Sequence, residues 1–193
     1  MDPTLLGTPM PTPTAQKPTS AFPAKLVLII LAVIAVLVAG FMLLAAGSDN
    51  SGQLMQRVSD RQATTLKLIA DGQKNLSDDD LQKLNSELNL IMLSDSAHVQ
   101  SEMAKAGIAK KMDKDIVAAE ADSATFDKLA TAKLNAQYDT TYRTTLGQKL
   151  ESLSALLREL HDKTKSKSLK TTLAAEYKHL SGYIDQLEKL ASN

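Results

Sequence analysis

Residues 166–190, SKSLKTTLAAEYKHLSGYIDQLEKL, place Leu169, Leu173, Glu176, Leu180, Tyr183, Leu187 and Leu190 at alternating steps of four and three. Such steps hold one seam on one side of a helix, and seams of this kind pack against other helices at shallow crossing angles. Just upstream, Leu146, Leu150, Leu153, Leu157 and Leu160 repeat the alternation. They belong to a helix predicted from Asp122 to Lys163, whose earlier row (Phe126, Leu129, Leu134, Tyr138, Tyr142) drifts around the axis before it locks.

Proline extends this reading to the whole C-terminal part. All six prolines, Pro3, Pro9, Pro11, Pro13, Pro18 and Pro23, precede residue 24. A proline costs a helix interior about 3 kcal/mol, so the proline-free remainder is free to be helical. A first helix is predicted from Ser51 to Ala70, carrying Leu54, Met55, Val58, Leu66 and Ile69, and ended by Asp71-Gly72. A second opens at Ser77-Asp78-Asp79-Asp80, where Ser77 caps free amides and the aspartates meet the positive end of the helix dipole, and it ends at Gly107. A shorter helical stretch, Ile108 to Ala121, precedes the long helix. Short links between long helices make sequential neighbours antiparallel. The expected domain is therefore all-α, an up-down antiparallel four-helix bundle running up-down-up-down.

Ahead of it, Leu26 to Ala46 reads LVLIILAVIAVLVAGFMLLAA, without a charged or polar side chain. At 1.5 Å per residue this spans about 31 Å, the thickness of a hydrocarbon layer. Signal peptides carry apolar runs of only ~7 to 15 residues, so an uncleaved single transmembrane helix is the expectation. Lys17 and Lys25 precede the span, and the first basic residue after it is Arg57. By the positive-inside rule the N-terminus is cytoplasmic and the helical domain extracytoplasmic. The expected organisation is a disordered Pro/Thr-rich tail at 1–24, a membrane helix at 25–47 and the bundle at 48–193, with the lipid bilayer as the partner of Leu26 to Ala46.

Composition excludes several function classes. Lys+Arg and Asp+Glu are each 22, so no net field gathers nucleic acid, and none is expected as a partner. Without cysteine there is no disulfide, thiolate metal site or thiol nucleophile. No glycine-rich phosphate loop or Gly-x-Ser-x-Gly motif occurs, and neither enzyme activity nor a cofactor is expected.

Two helices carry acid-x-x-His pairs, Asp95 with His98 and Glu176 with His179, the pattern of carboxylate-bridged metal bundles. The other two helices do not complete it, because the first lacks Glu and Glu151 lies about 140° from its own stripe at 100° per residue. In the up-down-up-down order, moreover, His98 and His179 stand about 12 Å apart in height. Asp95 and Glu176 are accordingly expected to set register, or to partner lysines and hydroxyls, and His98 and His179 to lie on the solvent-facing flanks. The same order puts Asp78, Asp79 and Asp80 beside Lys163, Lys165, Lys167 and Lys170 at the tip remote from the membrane, a candidate docking surface. It puts Lys105, Lys110, Lys111 and Lys114 at the end facing the bilayer. Thr140, Thr141, Thr144 and Thr145, with Tyr138 and Tyr142, mark a bend or line a small polar cavity.

His98 to Ile108 (HVQSEMAKAGI), Phe126 with Ala136-Gln137-Tyr138, and Ser168-Leu169-Lys170 resemble the ferritin-like four-helix domain of bacterial envelope proteins, over Ala97 to Leu190. The resemblance implies a bundle outside the cytoplasmic membrane and brings no site residues. The function expected is a membrane-anchored, non-enzymatic interaction module of the cell envelope with a protein partner. The alternative is a bundle that senses a small ligand near Tyr138 to Thr145, or binds metal through Asp95, His98, Glu176 and His179.

Overall fold

The computed structural model describes residues 51–107 and 114–192. The expected tail and membrane helix, and Lys110 and Lys111, lie outside the described residues. Within them the chain is all-helical: α1 (Ser51–Asn75), α2 (Asp79–Lys105), α3 (Lys114–Ala121), α4 (Ser123–Leu134), α5 (Tyr138–Lys163) and α6 (Lys167–Ser192). Among the described residues no helix is long and apolar enough to cross a membrane.

The four long helices pack around a core of Met55, Val58, Ile69, Leu88, Met92, Val99, Leu146, Leu150, Leu153, Leu157, Leu173 and Leu180. Both four-three seams face this core, as their spacing requires. α1 ends three residues before α2, and Asn85 donates to the Ile69 carbonyl at 3.0 Å, so the two are antiparallel. Between α1 and α5, Gly72 meets Tyr142 and Arg61 meets Ser152, again antiparallel. His179 meets Asp95 between α6 and α2, and Arg143 donates to the Leu190 carbonyl at 2.7 Å between α5 and α6.

Neighbours are thus antiparallel, but the order is up-down-down-up. α5 starts where α1 finishes: the Tyr138 hydroxyl donates to Asp71 at 2.7 Å, and Lys133 donates to Asn75 at 2.7 Å. α3 and α4 form the crossover that returns the chain to that end. α3 is held on α1 by Thr64, which donates to the Glu120 carbonyl at 2.6 Å, and by Arg61, which donates to Glu120 Oε1 at 2.9 Å and reaches Ser152 of α5. The predicted helix from Asp122 to Lys163 is therefore two helices. It breaks at Asn135–Gln137, where Ala136 takes a left-handed backbone (φ 54°), and Leu134 is left 87% exposed at the corner.

Two boundaries also move. α1 runs past Gly72 to Asn75, since Gly72 admits the Tyr142 ring against the helix rather than ending it. α2 is capped by Asp78, whose carboxylate accepts from Leu81 N at 2.8 Å, in the role expected of Ser77.

Candidate functional site

The seam carboxylate Glu176 is 1% exposed at the centre of the bundle. Gln62 of α1 donates to both of its oxygens, at 2.8 and 3.0 Å. Burial raises the Glu176 pKa to about 8, the Gln62 hydrogen bond opposes the rise, and the nearby Asp95 charge adds to it. At neutral pH the carboxyl is mainly protonated. The Gln62 carbonyl oxygen is itself buried without a hydrogen-bond partner among the described residues. Ser59 (α1), Ser96 (α2) and Ser154 (α5) add buried hydroxyls that likewise lack one. A polar layer thus interrupts the leucine-rich core at this height.

Of the four acid and histidine candidates, two meet. His179 Nδ1 lies 2.7 Å from Asp95 Oδ2, with His179 half-exposed and Asp95 nearly covered. Glu176 binds Gln62 instead of His179, and His98 is exposed. The partners expected for the acids were lysines and hydroxyls; an amide and an imidazole take those places. The 12 Å height offset between His98 and His179 shrinks to about 4.5 Å at 1.5 Å per residue, because α6 starts at the end where α2 finishes, which puts Asp95 level with His179 and His98 three residues along. Among the described residues, no group of three His, Asp or Glu side chains converges to hold a metal ion.

The expected meeting of Asp78, Asp79 and Asp80 with Lys163, Lys165, Lys167 and Lys170 does not occur, because the α5–α6 turn lies at the opposite end. There Glu102 accepts hydrogen bonds from Lys105 and Ser168, which hold its carboxyl below the usual range. The aspartates meet Asp139 of α5, which accepts from Asp78 N at 2.8 Å and from Ser77 N at 3.1 and 3.2 Å. All three aspartates are exposed. A groove of about 350 Å³ between α2 and α6 opens beside them, lined by Asp80, Lys83, Leu84, Glu87, Lys189 and Leu190.

The Thr-rich stretch adjoins a pocket of about 80 Å³ at Asp78, Asp139, Thr140 and Arg143. Ligand sites usually offer roughly 300 Å³ or more. The two tyrosines serve packing: their rings stack at 5.8 Å, and the Tyr142 hydroxyl is bound to Asn85. Burial first, then the Asp71 hydrogen bond, raises the Tyr138 pKa, and burial raises that of Tyr142.

Gln62, Asn85, Glu120 and Asp139 do not stand out in the sequence as site residues. Gln62 had a signal, since it fills the gap between Val58 and Leu66 in the α1 stripe. The others had none, because each depends on a partner more than 50 residues away. Comparison of the chain with protein-family models, curated proteins and solved structures gives no match.

Proposed function

We propose that this chain is a membrane-tethered, non-enzymatic interaction module of the bacterial cell envelope. Leu26 to Ala46 anchors it, the N-terminus is cytoplasmic, and the bundle stands outside and contacts a protein partner through its remote end. The observation that carries the reading is the placement of exposed Asp78, Asp79 and Asp80, with the adjoining groove, at the end of α1 opposite Ser51. α1 has 25 residues, so this end stands about 37 Å above Ser51 at 1.5 Å per residue. The groove has an apolar floor at Leu84 and Leu190 and a rim of both charges, Asp80 and Glu87 with Lys83 and Lys189, and the exposed Asp78 and Asp79 beside it suit a partner segment carrying basic and one or two apolar side chains. The single long crossover between α2 and α5 is the connection of ferritin-like bundles, and it supports the resemblance from which the envelope setting comes.

The test has two parts. The full chain should stay in the membrane fraction through alkaline carbonate extraction, with the bundle cleaved only by protease added from outside. A photo-crosslinker at position 79 should capture a defined protein, and the same group at exposed Ala155, on the flank of α5, should not. Extraction by carbonate, or equal capture at both positions, overturns the reading.

The metal-binding alternative keeps one observation in its favour, the Asp95–His179 contact at 2.7 Å. Metal analysis of chain purified from iron- and zinc-supplemented cells, with Glu176→Ala as the comparison, decides it. A metal-free preparation removes the alternative.

A further inference from the structure

The α5–α6 turn lies at the same end of the bundle as Ser51. Ser51 is ten residues before Arg61, and Lys163 is eleven residues after Ser152, the partner of Arg61 on the neighbouring antiparallel helix. The start of α1 and the end of α5 are therefore flush. From residue 163 to 170 the chain reads KTKSKSLK, four lysines and no acid. Lys163 is bonded to Glu159 at 2.5 Å, while Lys165, Lys167 and Lys170 make no ion pair with any described residue. Lys105 adds a fifth ammonium at this end, paired with Glu102 at 2.7 Å. The opposite end carries Asp78, Asp79, Asp80 and Asp139, so the bundle has a charge axis along its length.

We propose that the Lys163–Lys170 turn docks on anionic phospholipid headgroups of the bilayer that holds the chain, seating the base of the bundle on the membrane. The proposal rests on the anchor reading above. Four residues, Gly47 to Asn50, separate Ala46 from Ser51, a reach of at most about 18 Å at ~3.5 Å per residue. The lysines are consequently confined near the bilayer surface, within about two Debye lengths at physiological salt. A tether that short makes docking intramolecular, so a weak attraction per lysine is enough. Three unpaired lysines shift the ratio of docked to undocked bundles by on the order of 100-fold between anionic and neutral lipid. Docking would also fix the remote acidic end away from the membrane.

Since the sequence has no cysteine, single labels can be placed cleanly. The full chain, as Thr171→Cys or Thr140→Cys, both exposed or half-exposed surface positions, is labelled with a fluorophore and reconstituted into phosphatidylcholine vesicles with or without one part in three of phosphatidylglycerol, with a headgroup quencher present. The label at 171 should be quenched in the anionic vesicles, much less in the neutral ones, and the difference should vanish at high salt and in K165E/K167E. The label at 140 should be quenched in neither. Equal quenching at 171 in both lipids, or quenching that survives K165E/K167E, overturns the proposal. If the double variant misfolds, the salt titration on the unsubstituted lysines decides the same question. If the chain resists carbonate extraction but 171 is unquenched, docking fails and the anchor stands. If carbonate releases the chain, both fail.

Discussion

At the residue scale, two buried positions, Gly72 and Glu176, set measurable consequences. A Cβ on Gly72 would meet the Tyr142 ring at 2.5 Å, and that ring is stacked on Tyr138 and bound to Asn85, so it has nowhere to go. Glycine to alanine inside a helix ordinarily stabilises by about 1 kcal/mol. Gly72→Ala is predicted to destabilise instead, by about 1 to 3 kcal/mol, the range for overpacking a filled core. Urea denaturation followed by circular dichroism reads the sign directly, and a stabilised variant would refute the contact.

Glu176 makes a prediction in pH. Its folded pKa is about 8, against 4.5 for an unperturbed glutamate, so folding takes up a proton at neutral pH. Its contribution to stability is fully present below about pH 4.5 and declines as pH rises through 8, at about 1.4 kcal/mol per pH unit between the two values. Glu176→Gln keeps the shape and removes the titration. The variant should match the parent near pH 4.5 and exceed it increasingly toward pH 8, in denaturation midpoints taken across that range. Parallel pH profiles for the two proteins would show that Glu176 is ionised in the fold.

At the element scale, Glu120 is the main side-chain hold on the first helix of the crossover. α3 has only eight residues and one buried side chain, Glu120, so little apolar area holds it in place. Thr64 holds its backbone, and Arg61 joins the Glu120 carboxylate to Ser152 and so ties α3 to α1 and α5 together. Removing one partner of such a pair leaves the other uncompensated, at about 3 to 5 kcal/mol when fully buried and less here because Arg61 is partly exposed. Glu120→Ala should free α3 before it unfolds the bundle. Limited proteolysis is then expected to cut between α2 and α4 while circular dichroism keeps most of the helical signal. Cuts scattered through the long helices would point to global unfolding instead.

The same scale explains how much of the fold was legible in the sequence. Each seam says which face of a helix is buried, and those faces are buried. Where a helix stops without glycine or proline, the sequence is nearly silent. The break at Asn135–Gln137 had one trace, the drifting row from Phe126 to Tyr142, which is two helices of different phase read as one. Glu176 stood out as a carboxylate within a leucine seam, yet its partner Gln62 was visible only as a missing apolar residue.

For the whole molecule, periodicity cannot choose a helix's neighbours. The order of the four long helices is decided by the α3–α4 crossover, which carries the chain back to the end of α1 and sets α5 against α1 instead of α2. That one difference changed what the charged ends meet: the aspartates lie beside Asp139, and the lysine-rich turn lies beside the end of α2, where Ser168 bonds Glu102. Cross-linking distinguishes the two orders. In the observed order, cysteines at Ser77 and Thr140 should be joined by a short bifunctional reagent, since Asp139 touches the Ser77 amide. Cysteines at Ser77 and Lys165 should not, because the length of α2, 27 residues or about 40 Å at 1.5 Å per residue, separates them. An up-down-up-down bundle gives the reverse pattern, so the intramolecular 77–165 product would restore the simpler topology and send the basic turn to the remote tip, away from any bilayer.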